Sequence, residues 1–333
     1  MTEAAAAKGT KPPKDADTLR KMLRDMLLIR RFEEKSGEAY ALGKIGGFCH
    51  LYIGQEAVGV GTMAALRPDD YVLTSYREHG QALARGLSAR AVMAELCGKA
   101  TGCSGGKGGS MHLFDVSKNF LGGHAIVGGH IPLVAGVAFA IKYREGDQVA
   151  VAFFGEAAVN NGAFHEALNM AALWRLPAIF ICENNRYGMG TALERASAIY
   201  DVAQRACSYD MPAEVVDGMD VLAVRDAVSR AAQRARDRYT PTLLEIRTYR
   251  FMGHSMSDPI HGHYRTKDEV DQMKARDPIH SFAEKLRAEG AIDDEHWQAM
   301  EADVADEVAD AVRFADESPE PGAEALTADV YRA

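Results

Sequence analysis

The chain has no apolar run approaching the roughly 18 residues that a membrane-crossing helix requires, which argues against a spanning role. It also lacks a basic excess. Its 38 Lys and Arg stand against 47 Asp and Glu, a formal net charge of −9. A nucleic-acid binder is expected to show a basic balance or a basic stripe, so that class is set aside. The first residues form no apolar core of the secretory kind. Cysteine is scarce and unpatterned: Cys49, Cys97, Cys103, Cys182 and Cys207 are odd in number and form no C-x-x-C pair. They read as reduced, mostly buried thiols of a cytoplasmic enzyme, neither a disulfide framework nor a metal cluster. No internal repeat is visible.

What is present is the composition of a soluble globular protein, 47% apolar and 26% charged over 333 residues. That length suits one large α/β domain or two ordinary ones. Residues 1–15 are rich in Ala, Lys and Pro and read as a mobile arm. Leu19, Met22, Leu23, Met26, Leu27 and Phe32 then recur at helical spacing. Further helices are expected over about 55–66, 88–96, 132–143, 164–174 and 221–236. Strands are expected at 71–74, 148–154, 178–182, 214–216 and 243–246. The run from 148 to 182 is strand, helix, strand, so its two strands should be parallel neighbours. The order fits an open, mostly parallel, doubly wound α/β sheet flanked by helices. Residues 16–266 form the expected main domain, and 267–333, helical and acidic, its C-terminal extension.

Ligands in such sheets bind beyond the carboxyl ends of the strands. Two loops leave those ends: Gly155-Glu156-Ala157-Ala158-Val159-Asn160-Asn161-Gly162, which opens a helix, and Glu183-Asn184-Asn185-Arg186-Tyr187-Gly188. Adjacent parallel strands lie about 4.8 Å apart, so Glu156 and Asn185 should be neighbours in space. A carboxylate, an amide oxygen and a backbone carbonyl are hard donors suited to Mg²⁺ and its phosphate partners. The helix that follows Gly162 adds a field favourable to an anion. Either loop alone would read as an ordinary turn; together, on one βαβ unit, they point to a site.

Other signals are weaker. The glycine-dense segment 102–112 fails as a phosphate-binding P-loop because its spacing is wrong and Lys107 precedes Gly108. It reads as a flexible loop near the site entrance. Gly59-Val60-Gly61 lies within a helical pattern and so is not a dinucleotide fingerprint. His261-Gly262-His263 reads as a polar loop. His254, in a Gly-His-Ser-Met-Ser loop beyond a strand, is a candidate for proton transfer, with an unperturbed pKa of about 6.5.

The stretches 153–162 and 182–191 together carry the pattern of a thiamine diphosphate motif. Around them stand the segments 47–57, 75–80, 105–112, 122–128 and 249–259, in order, and together they cover about 20–280. On these residues the chain resembles the α subunits of the thiamine diphosphate-dependent 2-oxo acid dehydrogenase family, most narrowly those acting on pyruvate. The resemblance implies oxidative decarboxylation of a small 2-oxo acid, with the acyl group passed to the lipoyl arm of an acyltransferase. It implies that Glu156, Asn185 and the Tyr187 carbonyl hold magnesium. Tyr76, Arg77 and Arg250 would hold the diphosphate, whose oxygens suit the planar fork of arginine. Ala157 and Ala158 would offer backbone groups beside the phosphates, and Ala125 and Val127 would meet the aminopyrimidine ring. His50, His112 and His254 would line the pocket where substrate and lipoyl arm meet, with His112 and His254 as the catalytic candidates.

The family's aminopyrimidine glutamate resides on a separate β subunit, so the resemblance implies an α2β2 assembly and exposed apolar patches where β docks. Ser255 stands where related mitochondrial enzymes are phosphorylated, while the family's second loop serine is absent. One departure concerns the metal ligand. The family's Gly-Asp-Gly is here Gly155-Glu156-Ala157, which lengthens the ligand by a methylene and removes a residue free to take positive φ. That change leaves room for a non-catalytic paralogue. A subunit acting on acetoin or branched-chain 2-oxo acids is the other alternative.

Overall fold

The computed structural model describes residues 15–330; the arm expected over 1–15 lies outside the described residues except for Asp15. Helices α1 (Ala16–Ala41) and α2 (Glu56–Ala65) lead into strand β1 (Tyr71–Ser75). Helices α3 (His79–Arg85) and α4 (Ala89–Leu96) then cross to β2 (Phe120–His124). Helix α5 (Ile131–Tyr143) leads to β3 (Ala150–Gly155), and α6 (Gly162–Leu173) joins β3 to β4 (Ala178–Asn184). A small antiparallel pair, β5 (Tyr187–Gly188) and β6 (Thr191–Ala192), precedes the short α7 (Leu193–Ala196). Next come β7 (Ala213–Asp217), α8 (Val221–Arg238) and β8 (Thr242–Arg247). Helices α9 (Lys267–Lys274), α10 (Pro278–Ala288) and α11 (Asp294–Glu317) follow.

The main sheet is wholly parallel, in the order β2-β1-β3-β4-β8-β7. From β1 the chain winds outward to β2, then returns to the other side of β1 for β3. The crevice between the carboxyl ends of β1 and β3 is therefore a topological switch point, where such sheets bind ligands. Both faces are covered. Val151, Phe153, Ile179, Ile181, Leu244 and Ile246 pack toward α1, α2 and α8. Ala150, Ala152, Phe154, Phe180 and Cys182 pack toward α5 and α6. This alternation is the period of two of a strand buried on both faces. The register pairs Gly155 with Glu183, so the two loops expected to meet leave the sheet side by side.

Strand β2 and helix α3 were not anticipated. The β2 segment, Phe-Leu-Gly-Gly-His, lacks the β-branched pattern of a strand. Gly122 sits at φ 90°, and a Cβ there would meet the Phe114 ring at 2.3 Å. Gly61, in the expected helix α2, has a packing role. A Cβ on it would come within 2.7 Å of the Val221 carbonyl, so the missing side chain lets α2 and α8 approach closely. Helices α10 and α11 share the apolar core of the sheet through Ile279, Phe282, Val304 and Val308.

The glycine segment is pinned rather than flexible. The backbone N–H groups of Ser104 (2.8 Å), Gly106 (2.8 Å), Gly108 (2.7 Å) and Gly109 (3.1 Å) all donate to the buried carboxylate of Glu95. The nest that a phosphate could have used is already filled by a side-chain anion.

Glu78, at the start of α3, is fully buried. One carboxyl oxygen accepts from Leu113 N–H at 3.0 Å and the other has no partner. Burial pushes its pKa from 4.5 up to about 8, against the pull of His79 and the Leu113 N–H. With the folded value above the unfolded one, its contribution is fully present below about pH 4.5 and is lost as pH rises through about 8. Glu78→Gln keeps the Leu113 bond and removes the ionisation. Its stability relative to wild type should therefore climb between pH 5 and 8, by at most about 1.4 kcal/mol per pH unit. Chemical denaturation at both pH values measures this, and a pH-independent difference would contradict it.

Candidate functional site

At the switch point lies a cavity of about 670 Å³, lined by His50, Tyr76, Met111, Ala125, Val127, His130, Ala157, Ala158, His254 and Asp258 among others. Beneath it is a narrower space of about 60 Å³, walled by Arg77, Glu156, Glu183, Asn185, Tyr187 and Arg250. Tyr76, Ala157 and His254 border both. The structure thus brings together every cofactor-binding candidate from the sequence. His112, a catalytic candidate from the sequence, is not among the lining residues. Its ring pairs with the Gly123 carbonyl at 2.9 Å and stands outside the lining, where its neighbour Met111 is found instead.

The deep space has complementary deficits. Glu156 is buried; one oxygen accepts from the Asn185 N–H at 3.2 Å and the other has no partner. Burial raises the Glu156 pKa, opposed by hydrogen bonds from the Glu156 and Asn185 N–H groups and by Arg250 and Arg77. Close by, Arg77 and Arg250 are buried, and among the described residues neither forms an ion pair with a carboxylate. Arg77 donates to the carbonyls of Leu51 at 2.7 Å and His254 at 2.6 Å. Arg250 makes only long contacts, 3.3–3.4 Å, to Asn185 Oδ1 and the carbonyls of Tyr187, Met189 and Met252. Burial, then the neighbouring Arg250, lowers the Arg77 pKa to about 10. Uncompensated buried charge is costly. Here a free carboxylate oxygen calls for a cation and two unpaired guanidinium groups call for an anion, within one small space. Glu156, Asn185 Oδ1 and the Tyr187 carbonyl would suit a divalent metal, and the two arginines would suit phosphate oxygens.

Residues Glu156–Asn160 form a 3₁₀ turn, from which a Glu156 carboxyl oxygen accepts the Asn185 N–H at 3.2 Å. Ala157, which replaces a residue free to take positive φ, is not among the residues with positive φ. Positive φ falls elsewhere, at Arg186 (75°) and Met189 (55°), on either side of Tyr187-Gly188. The turn also separates the strand end from α6, whose first turn is capped by Asn161 donating no charge of its own: its Oδ1 accepts from Ala163 N–H at 3.0 Å.

In the larger cavity His50, Tyr76 and His254 cluster, with ring centroids 4.5 Å apart for His50–Tyr76 and 5.0 Å for His50–His254. Burial, followed by Arg77, depresses His254 to about 4 and His50 to about 2. The midrange value expected of His254 is thereby corrected: both rings are neutral at physiological pH. Among the described residues one carboxylate lines this cavity, Asp258, and its Oδ2 is engaged. It accepts from His254 N–H at 2.7 Å and from Tyr264 OH at 2.6 Å, and its pKa is lowered. Among lining residues, His130 and Glu183 escaped the sequence reading. His130 donates to the Phe153 carbonyl at 2.7 Å, and Glu183 accepts from the Tyr52 hydroxyl and from Gln81 at 3.2 Å. Their buried positions in apolar or strand-end text gave no separate signal.

His261 and His263 are exposed, and among the described residues no group of three or more His, Cys, Asp or Glu is placed to hold a metal. Ser255 is buried, with its hydroxyl 3.0 Å from that of Ser257.

The family described as dehydrogenase E1 component matches residues 24–324. A pyruvate dehydrogenase E1 component subunit alpha from Rhizobium meliloti is 52% identical over 311 residues, covering 93% of this chain and 89% of the relative. One from Zymomonas mobilis is 48% identical over 318 residues, 95% and 89% of the two chains. A testis-specific mitochondrial form from Rattus norvegicus is 46% identical over 312 residues, 93% and 78% of the two.

Proposed function

The chain belongs to the dehydrogenase E1 component family, and from that membership we propose that it is the α subunit of a pyruvate dehydrogenase. The observation that carries the reading is the pair of deficits in the deep space, the unpartnered Glu156 oxygen beside two unpaired buried arginines. Glu156, Asn185 and the Tyr187 carbonyl hold Mg²⁺. Arg77, Arg250 and Tyr76 hold the diphosphate of thiamine diphosphate, and the backbones of Ala125, Val127, Ala157 and Ala158 line its course. When bound, the cofactor supplies a carbon nucleophile and an electron sink for loss of CO₂ from a 2-oxo acid. Neutral His50 and His254 hydrogen-bond at the cavity mouth without adding charge, and the apolar walls exclude water.

The half-site is incomplete without a second chain. Among the described residues one carboxylate lines the cavity, Asp258, and its Oδ2 already accepts from the His254 N–H and the Tyr264 hydroxyl; as the family resemblance implies, the proton-accepting group for the aminopyrimidine ring comes from a β subunit. Support for such a partner is the exposed apolar surface that begins at Ile126 (74% exposed) and runs along α5 through Leu133 and Phe139 to Tyr143 (81%), with Trp174 against Phe139. We place the chain in an α2β2 assembly that delivers acetyl groups to the lipoyl arm of an acyltransferase. The five free cysteines favour the cytoplasm, and no described helix is long and apolar enough to cross a membrane.

Reconstitution with the β subunit tests the substrate. Release of CO₂ and acylation of lipoyl protein should favour pyruvate over branched-chain 2-oxo acids by about 10- to 100-fold in kcat/KM, the range that methylene-sized differences support. Equal or reversed preference would assign the chain to a branched-chain relative.

A further inference from the structure

Helix α9 opens with Thr266-Lys267-Asp268-Glu269, the text of a capping box, in which the fourth side chain ordinarily returns to the first residue's N–H. Half of the box forms, with Thr266 Oγ1 accepting from Glu269 N–H at 3.1 Å. The Glu269 carboxylate goes elsewhere. It accepts from the Tyr187 hydroxyl, at 3.0 and 3.1 Å to its two oxygens, and from the Tyr249 hydroxyl at 2.9 Å.

Tyr187 walls the deep space, and Tyr249 stands next in sequence to Arg250, which also walls it. Tyr187 lends its carbonyl to the metal set and lies in a turn bounded by two non-glycine residues at positive φ, Arg186 and Met189. Such a turn persists only where its surroundings over-determine it. Tyr249 directly precedes Arg250. The neighbouring Arg265 strengthens the same corner: it donates to the Arg250 carbonyl at 2.7 Å, and its guanidinium lies 5.3 Å from the Tyr249 ring centre. One carboxylate from the C-terminal helices thus ties the metal-binding turn to the strand end that carries the phosphate arginine.

We propose that Glu269 is a positioning residue for the magnesium site, holding the Tyr187 turn in register with Arg250 through the two phenols. The inference rests on the reading of Glu156, Asn185 and Tyr187 as the metal set. It requires a hydrogen-bond acceptor at position 269 and does not require its charge, because each phenol donates to an oxygen that glutamine also offers.

The test uses the full α/β assembly, with calorimetric titration of thiamine diphosphate at a series of Mg²⁺ concentrations and thermal unfolding in parallel. Glu269→Ala should raise the Mg²⁺ concentration for half-maximal binding by about tenfold or more, the scale of losing a group that orients a metal ligand. Glu269→Gln should stay within about threefold of wild type, since its amide oxygen still accepts. Tyr187→Phe should raise the requirement too, and the Tyr187→Phe, Glu269→Ala double variant should lose less than the sum of the two. A Glu269→Ala assembly with the wild-type Mg²⁺ requirement overturns the inference. So does a Glu269→Gln defect equal to that of Glu269→Ala, or strict additivity with Tyr187→Phe. If the unmodified assembly itself binds without regard to Mg²⁺, the metal-site reading fails, and the positioning role with it.

Discussion

Glu156→Ala should abolish magnesium-dependent binding of thiamine diphosphate to the α/β assembly. The alanine removes the only acidic group in the proposed metal set, leaving Asn185 Oδ1 and the Tyr187 carbonyl, which are neutral. Breaking a buried charged pair by removing one partner costs about 3–5 kcal/mol, which is on the order of 100-fold or more in Kd. Glu156→Gln isolates the charge, since it retains length and shape, and should lose nearly as much. Glu156→Asp should bind within about tenfold of wild type, because the 3₁₀ turn that accommodates the longer side chain has room to relax. Calorimetric titration of the four assemblies checks the series. Unchanged affinity in Glu156→Ala would remove Glu156 from the metal set.

The second large effect concerns Arg250, and its two consequences should have opposite signs. Without a ligand, the guanidinium is a buried cation meeting only neutral oxygens at 3.3–3.4 Å. Arg250→Met should therefore hold or raise the thermal midpoint of the cofactor-free assembly, since an uncompensated charge leaves the interior. With the diphosphate present the same residue becomes one half of a desolvated charge pair. Losing it should weaken thiamine diphosphate binding by about 2–5 kcal/mol, while unphosphorylated thiamine is affected little. Differential scanning calorimetry and binding titrations with the two ligands measure both arms. A fall in midpoint, with equal losses for both ligands, would mean that Arg250 is a framework residue and not a phosphate partner.

The parts of this protein that were legible in the sequence are those where one physical signal dominates. The runs 148–154 and 178–182 are continuously apolar because their strands are buried on both faces, and the helix between them fixes their parallel pairing. From that unit alone the meeting of Glu156 with Asn185 followed. Strand β2 was hidden because Gly122 and Gly123 are there for close approach, to the Phe114 ring and to Glu78, and erase the strand's composition. The glycine segment looked flexible because nothing in its text announces that Glu95, several residues upstream on α4, fills it with a carboxylate. His254 was located by pattern but its titration was not, since the depression to about 4 arises from burial and from Arg77, distant in sequence. The tie from Glu269 to Tyr187 and Tyr249 spans 82 and 20 residues and leaves only an ordinary capping motif in the text.

The central claim is that this chain supplies the metal and diphosphate half of a thiamine diphosphate site, and that the two deficits in the deep space are answered together. Its most direct measurement is the titration of thiamine diphosphate into the unmodified α/β assembly, once with Mg²⁺ and once with the divalent ions chelated. The structure predicts saturable binding with Mg²⁺ and a loss on the order of 100-fold without it, matching the loss in Glu156→Ala. Equal affinity in the two titrations would contradict the account.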